Sequence, residues 1–154
     1  MVNNFNTLGV MIDCSRNAVM NLPELKNLIT LLAKMGYNQV QLYMEDTYKV
    51  ENEEFFGYKR GGYSQRELSE IVDFAEQNGV EAVPCMQTLA HLKTINRWKK
   101  YADMMDTCDT LLVGDDGVYE LIDNMFSSLR KCFKTEKIHI GMDEAVNLGA
   151  GKYR

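Results

Sequence analysis

The chain lacks the features on which several large protein classes depend. Its 154 residues include 17 Lys and Arg against 22 Asp and Glu, and no basic run is longer than the pair Lys99 and Lys100. A formal net charge of −5 gives no positive field for a phosphate backbone, so we expect no nucleic-acid partner. No apolar run approaches the roughly 20 residues that cross a bilayer, so we expect no membrane association either.

Signals for export and for disulfide bonding are also scarce. The first seven residues, Met1 to Thr7, are polar and contain no apolar segment of the signal-peptide kind, which predicts a cytoplasmic location. Four cysteines are widely spaced, and no two of them form a C-x-x-C pair. We therefore expect reduced, structural thiols at Cys14, Cys85, Cys108 and Cys132.

The sequence does contain a regular alternation of strand and helix patterns. Apolar runs predict four strands, over residues 8–14, 40–44, 80–86 and 138–142, and the first is continuous enough to be buried on both faces. Helical spacing of apolar residues predicts four helices, over 23–35, 64–78, 91–105 and 118–133. Ser64 is the expected N-cap of the second helix, where Glu67 completes a capping box.

This alternation requires parallel strands joined by right-handed crossovers, which is an α/β fold. Two architectures accept it: the first four β-α units of a (β/α)8 TIM barrel, or an open parallel α/β sheet. A closed barrel normally uses roughly 250 residues, so in the first case the chain would be a half-barrel fragment. No linker, low-complexity tract or longer repeat divides the sequence, and we expect one domain over residues 1–154.

In both architectures, catalytic groups lie just beyond the carboxyl ends of the strands. Each predicted strand is followed there by polar residues, namely Asp13, Ser15 and Arg16; Glu45 and Asp46; Gln87, Thr88 and His91; and Asp143 and Glu144. Any one of these is more often a helix cap or a surface residue. Four such groups at one rim favour a functional site.

Asp143 and Glu144 are the sharpest local signal. Neighbouring side chains on extended backbone point in opposite directions, so we expect these two carboxylates to reach different parts of one ligand. Their mutual repulsion and partial burial would raise the pKa of at least one of them, as a general acid requires. The alternative is that the pair caps a following helix.

These residues carry a family resemblance. The segment 138–145, Ile-His-Ile-Gly-Met-Asp-Glu-Ala, resembles the H-x-G-x-D-E signature of glycoside hydrolase family 20, the exo-acting β-N-acetylhexosaminidases. Three earlier segments resemble the family's preceding strand ends in the same order: 8–16, with its Asp-x-Ser-Arg ending; 43–46; and 84–91, which ends in a histidine. The resemblance thus covers nearly the whole chain.

The resemblance implies a role for each candidate site residue. Glu144 would be the general acid/base that protonates the leaving oxygen, and Asp143 would orient the 2-acetamido group of the substrate. Arg16 would hold hydroxyls of the terminal sugar, while Asp46 and His91 would form a supporting polar network. The implied reaction is substrate-assisted retaining hydrolysis of a glycan ending in N-acetylhexosamine, through an oxazolinium intermediate and without metal or cofactor.

Two departures from the family pattern qualify these expectations. The second strand ends in Glu-Asp-Thr where many members have Asp-Asp, so Glu45 is an alternative to Asp46, which we favour by its place in the strand-end alignment. Family members wall the acetamido pocket with tryptophans from later strands, whereas this chain has only Trp98. We therefore expect little or no activity from the isolated chain, and self-association through an open half-barrel. A non-catalytic sugar- or small-ligand-binding α/β domain is the alternative function.

Overall fold

A parallel sheet with helices between its strands forms the fold. The computed structural model describes residues 5–16 and 19–153. Its elements are β1 (Gly9–Asp13), α1 (Leu22–Lys34), β2 (Gln39–Met44), α2 (Gln65–Gln77), β3 (Glu81–Met86), a 3-10 turn (Ile95–Arg97), α3 (Lys99–Ala102) and α4 (Asp116–Arg130). The predicted parallel α/β class is confirmed.

The three strands lie in chain order, β1-β2-β3, with both pairs parallel. The segment after α4 continues this order beside β3, where the Met86 amide donates to the His139 carbonyl and the His139 amide donates to the Pro84 carbonyl, both at 3.0 Å. The predicted fourth strand over 138–142 is thus reduced to one parallel bridge, between Cys85 and His139. This segment is largely exposed, because nothing in the described residues packs on its outer side, and Ile140 is 42% exposed.

The two faces of the sheet differ in burial. Val40, Leu42 and Met44 of β2 are fully buried in one core with apolar residues of α1 and α2. The opposite face of β2 carries Gln39, Gln41 and Tyr43, which pair in register with Gly9, Met11 and Asp13 of β1. The expectation that the first strand is buried on both faces is wrong: β1 is an edge strand, and its Met11 is 47% exposed.

Local sequence signals set the ends of the first two helices. The Asn21 side chain caps α1 by accepting from the Glu24 amide, and Gly36 follows this helix with a φ of +89°, which glycine adopts without strain. The capping box predicted at Ser64 and Glu67 is present at the start of α2. Both helices therefore begin where their sequences predict.

The helix predicted over 91–105 is wrong. The chain forms the 3-10 turn and the four-residue α3 there instead. His91 has a left-handed φ of +60°, which cannot start a helix. Ile95 and Tyr101 are both fully buried, although residues six apart on a continuous helix would lie about 120° from each other around its axis.

The four cysteines have free thiols, as expected. Cys14, Cys85 and Cys132 are buried, whereas Cys108 is exposed. Burial raises the pKa of the Cys14 thiol to about 12 and that of Cys85 to about 11, so both are held as neutral thiols. Within the described part of the chain, no helix combines the length and apolar character needed to cross a membrane.

Candidate active site

Polar side chains from four successive loops meet beyond the carboxyl ends of the strands. We call Arg16, Glu45, His91, Asp143 and Glu144 the rim cluster, because each lies just after β1, β2, β3 or the His139 bridge. His91 contacts three of the others, and Arg16 joins them through Glu45. The structure thus brings together four of the five predicted site residues.

The imidazole of His91 is the centre of the rim cluster. Its Nε2 lies 3.3 Å from Glu144 Oε2 and 3.5 Å from Asp143 Oδ2, and its Nδ1 lies 4.0 Å from Glu45 Oε1. The His91 side chain is 17% exposed, whereas that of Glu144 is 72% exposed. The histidine is therefore held inside the cluster while Glu144 is open to a ligand.

The backbone of Asp143 and Glu144 differs from the extended form that the sequence predicts. Glu144 has a left-handed φ of +52° and lies in a turn. Its side chain therefore lies on the same side of the backbone as the side chain of Asp143. Both carboxylates reach the same nitrogen of His91 rather than separate parts of the site. No helix begins after Glu144 in the described residues, so the helix-cap alternative is wrong.

The electrostatics of Asp143 also differ from expectation. Partial burial acts to raise its pKa, but a hydrogen bond from the Gln87 amide, a backbone hydrogen bond and the nearby charges of His91 and His139 outweigh it and lower the pKa. Gln87 Nε2 donates to Asp143 Oδ1 over 3.1 Å. The sequence predicted a raised pKa for at least one member of the pair; Asp143 is not that member, because it is stabilised as a carboxylate.

Glu45 is the rim carboxylate whose proton affinity rises. Burial raises its pKa, and the hydroxyl of Tyr43 and the charges of Arg16 and His91 offset only part of that effect. The Tyr43 hydroxyl donates to Glu45 Oε1 over 3.2 Å, and the Glu45 amide donates to the buried Ser15 hydroxyl over 2.7 Å. Backbone and side chain of Glu45 are thus both fixed.

Arg16 presents its guanidinium at the mouth of the site. It pairs with Asp13 at 3.0 Å, donates to the Tyr43 hydroxyl over 3.2 Å and lies over the Tyr43 ring. The hydrogen bond to Asp13 raises the pKa of Arg16, so the group is always charged. Half of its side chain remains exposed, which leaves donor capacity for a ligand.

Asp46, favoured by the sequence over Glu45, is not in this cluster. Its side chain is 2% exposed and pairs with Arg60 at 2.9 Å, and no hydrogen bond or ion pair joins it to His91 in the part of the chain described. The reason is the period of two along β2: Glu45 shares the face of Tyr43, whereas Asp46 follows Met44 to the helix-packed face. The contacts place Glu45, and not Asp46, beside His91.

Sequence reasoning assigned no role to Tyr43 and marked Gln87 only as a polar residue after a strand. Tyr43 joins Arg16 to Glu45, and fully buried Gln87 holds Asp143. The signal for Tyr43 is its register position, directly opposite Asp13 on the face that leads to the site. For Gln87, the signal of a role in the site is its position immediately after the end of β3.

Gly141 allows the last loop to approach β3. A Cβ atom at this residue would lie 2.3 Å from the Met86 carbonyl oxygen and 2.7 Å from the Gln87 side chain. Gly141 also has a φ of +52°. Both facts require glycine at the position that brings Asp143 to Gln87.

His91, Asp143 and Glu144 are also of the types that bind metal ions. One ligand atom from each lies within 4.8 Å of the others. Imidazole and carboxylate are acceptable ligands for divalent zinc. A cation bound there would compete with a protonated imidazole for the same two carboxylates.

Comparison with known proteins identifies the family of this chain. The model of the glycosyl hydrolase family 20 catalytic domain matches residues 47–149. Beta-hexosaminidase 3 of Arabidopsis thaliana is 26% identical over 91% of this chain and 28% of its own length. Hexosaminidase D of Bos taurus is 24% identical over 83% of this chain and 38% of its own length.

Solved structures show the same fold. The chitobiase of Flavobacterium johnsoniae superposes with a TM-score of 0.87 at 20% identity, over 97% of this chain and 26% of that one. A family 20 exo-β-N-acetylglucosaminidase of Vibrio harveyi, in complex with N-acetylglucosamine, gives 0.85 at 20% identity, over 97% of this chain and 29% of that one. The chain spans roughly a quarter to two fifths of the length of these relatives. Because the model of the family's catalytic domain matches most of its residues, the chain belongs to glycosyl hydrolase family 20.

Proposed function

We propose that this chain supplies the acid/base part of an active site that removes terminal β-linked N-acetylhexosamine from glycans. The observation that carries the proposal is the position of His91 Nε2, 3.3 Å from Glu144 and 3.5 Å from Asp143. The names of the relatives, which are hexosaminidases, support the substrate class. Both N-acetylglucosamine and N-acetylgalactosamine are N-acetylhexosamines and fit the proposal.

Glu144 is the proposed general acid/base. Its exposed carboxyl group can reach a glycosidic oxygen, and its contact with His91 provides a partner for the carboxylate that remains after proton transfer. As the leaving oxygen takes the proton, the acetamido oxygen of the substrate attacks the anomeric carbon and closes an oxazolinium ring. Water then opens the ring with net retention, and Glu144 takes back a proton from that water.

Asp143 is the proposed partner of the acetamido group. The interactions that lower its pKa keep it negative at neutral pH. A fixed carboxylate beside the acetamide N–H orients that group and stabilises the positive charge that develops as the ring closes. The hydrogen bond from Gln87 fixes one of its oxygens and leaves the other towards His91.

Arg16 is the proposed binder of sugar hydroxyls, since its half-exposed guanidinium is held by Asp13 and Tyr43. Asp46 supports the same loop indirectly. Its partner Arg60 also donates, over 2.8 Å, to the carbonyl oxygen of Ser15, which is the residue directly before Arg16. We therefore infer that Asp46 positions Arg16, while His91 contacts the catalytic pair and Glu45 contacts His91.

We further propose that residues 1–154 form the first four β-α units of a (β/α)8 barrel. Three parallel strands in chain order and a bridged fourth segment support this architecture, as do the neighbours that are longer family 20 enzymes. The sheet face that bears Met11 would then be the barrel interior, and we expect copies of the chain to associate through it. Size-exclusion chromatography with light scattering tests this, and a monomer at all concentrations would contradict it.

The isolated chain should hydrolyse substrate slowly or not at all. The Asp143 side chain is 49% exposed and that of Glu144 more so, so nothing in the part of the chain that the structure describes encloses an acetamido group against them. Loss of such positioning costs orders of magnitude in rate. An assay with a chromogenic N-acetylglucosaminide, using the chain and its Glu144→Gln variant, should give near-background turnover for both.

Two other results of that assay are informative. Robust turnover that Glu144→Gln abolishes would refute the expected inactivity while supporting the role of Glu144. Turnover that Glu144→Gln leaves unchanged would refute that role. The alternative function, a non-catalytic sugar-binding domain, predicts that the chain binds N-acetylglucosamine. It also predicts that Glu144→Gln, introduced into a longer, active protein that contains this chain, leaves the rate of hydrolysis unchanged.

A further inference from the structure

Three aromatic side chains, two of them exposed and one partly buried, form a group outside the rim cluster. We call Phe55, Tyr58 and Trp98 the aromatic platform. The Phe55 and Trp98 rings stack at 4.9 Å between centroids, and Tyr58 meets Trp98 edge to face at 5.4 Å. Phe55 is 36% exposed and Tyr58 is 40% exposed, although other aromatic residues of the same loops, such as Phe56 and Tyr101, are fully buried.

Two cations border the aromatic platform. Lys59 Nζ lies 5.5 Å from the centre of the Tyr58 ring, and the Arg97 guanidinium lies 5.4 Å from the centre of the Trp98 ring. Neither cation has a carboxylate partner among the residues that the structure describes, whereas the neighbouring Arg60 and Lys100 are paired with Asp46 and Glu53. Arg97 does donate to the Tyr58 backbone carbonyl over 3.3 Å. In a chain of net charge −5, the platform therefore carries two positive charges without a carboxylate partner among the described residues.

The aromatic platform lies on loops that also carry the rim cluster. Phe55 and Tyr58 belong to the loop after β2, which packs on Asp46: a Cβ atom at Gly57 would lie 2.0 Å from the Asp46 carbonyl oxygen. Trp98 follows His91 by seven residues, through turns closed by bonds from Ile95 to Leu92 and from Trp98 to Ile95. Seven residues span at most about 25 Å even when extended, so the platform is within reach of an oligosaccharide bound at the rim cluster.

We propose that the aromatic platform, with Lys59 and Arg97, binds an acidic sugar residue of the glycan beyond its terminal N-acetylhexosamine. This inference rests on the proposed function, because it names the glycan class that the same site would accept. The C–H face of a sugar ring packs on the negative face of an aromatic ring, which the exposed side of Phe55 offers. The two unpaired cations then select a carboxylate or sulfate group over a neutral substituent.

Binding calorimetry on the 154-residue chain tests the proposal with two tetrasaccharides. One alternates N-acetylhexosamine with a uronic acid and ends in N-acetylhexosamine, and the other is the neutral tetramer of N-acetylglucosamine. We expect the acidic ligand to bind about three- to fivefold more tightly, the range of exposed ion pairs, and this preference to decrease with added salt. Lys59→Ala should reduce the preference, and the double variant Lys59→Ala/Arg97→Ala should abolish it. Phe55→Ala should weaken binding of the acidic ligand about five- to tenfold.

Matched variants show whether these losses are specific. Phe5→Ala and Lys34→Ala remove an exposed aromatic ring and an exposed cation elsewhere, and both should leave the preference unchanged. Circular dichroism of every variant checks that it is folded. Equal affinity for the two tetrasaccharides would overturn the proposal, and so would a preference that remains when both Lys59 and Arg97 are replaced by Ala.

Arg16→Ala separates this proposal from the proposed function. It should weaken both tetrasaccharides equally if the terminal sugar binds at the rim cluster, and it should leave the ratio of their affinities unchanged. If Arg16→Ala has no effect on either ligand, the proposed function fails, whatever the platform variants do. If the chain binds neither tetrasaccharide, the acidic-sugar proposal is refuted. A dimer that Phe55→Ala dissociates would then show that the platform is an interface between copies.

Discussion

The ion pair between Asp46 and Arg60 gives the most detailed prediction, because it concerns the one predicted site residue that lies outside the rim cluster. Asp46 is 2% exposed at its side chain, and its Oδ1 accepts from Arg60 Nε over 2.9 Å. Its other oxygen has no hydrogen-bond partner in the described structure. The carboxylate therefore depends on Arg60 for compensation of its buried charge.

We expect Arg60→Ala to destabilise the chain strongly. Removing one member of a buried ion pair costs about 3–5 kcal/mol, and the lower end applies because the Arg60 side chain is 27% exposed. Loss of the bond from Arg60 to the Ser15 carbonyl adds about 1 kcal/mol. The expected loss of about 4 kcal/mol corresponds to a fall in Tm of about 8–16 °C for a chain of this size.

A double-mutant cycle isolates the pair from the Ser15 bond. Urea unfolding, followed by circular dichroism, gives the free energies of unfolding of the wild type, Asp46→Ala, Arg60→Ala and the double variant. The Ser15 bond is lost whenever Arg60 is replaced, so it cancels from the coupling energy, which should be about 2–3 kcal/mol. A coupling energy below about 0.5 kcal/mol, the size of a weak surface pair, would refute the assignment of Asp46 to a buried structural pair.

Three further predictions concern the last loop, a buried hydroxyl and acid stability. Gly141→Ala should lower the free energy of unfolding, measured with urea, by about 1–3 kcal/mol, and it should weaken N-acetylglucosamine binding, measured by calorimetry. If both values are unchanged, the close approach of this loop to β3 is contradicted. Tyr101→Phe should cost about 1–2 kcal/mol in urea unfolding, because the buried Tyr101 hydroxyl donates to Glu53 over 2.8 Å; no loss would mean that water replaces it. The hydrogen bond from Lys137, together with other bonds, lowers the pKa of Glu81 from 4.5 to about 2, so its stabilisation is complete above pH 4.5 and is lost as the pH falls towards 2. Glu81→Gln should flatten the pH dependence of Tm in that window, and an unchanged slope would show that the Glu81 interactions are absent in solution.

Local sequence signals predicted the parts of the fold that local physics controls. Ser64 and Glu67 form their capping box, and the second and third strands lie where apolar runs place them. The convergence of strand-end residues was also predictable, because parallel strands bring their carboxyl ends to one edge. The half-barrel architecture, self-association and cytoplasmic location remain predictions.

The remaining features depend on backbone conformations and contacts that the sequence does not state. The left-handed Glu144 turns its carboxylate to the same histidine nitrogen as Asp143, against the expectation for extended backbone. Because side chains alternate along the chain after β2, Glu45 lies beside His91, whereas the next residue, Asp46, pairs with Arg60. Which of these two residues faces His91 depends on which side of β2 the helices cover, and the strand-end residues alone do not state this.

Titration of the isotopically labelled chain with N-acetylglucosamine, followed by nuclear magnetic resonance, tests the central claim most directly. We expect the largest chemical-shift changes at the residues of the rim cluster, which are Arg16, Glu45, His91, Asp143 and Glu144, and we expect Arg16→Ala to reduce the affinity. Shift changes confined to other surfaces, or none at sugar concentrations of about 10 mM, above the usual range of KM values, would contradict binding at this cluster.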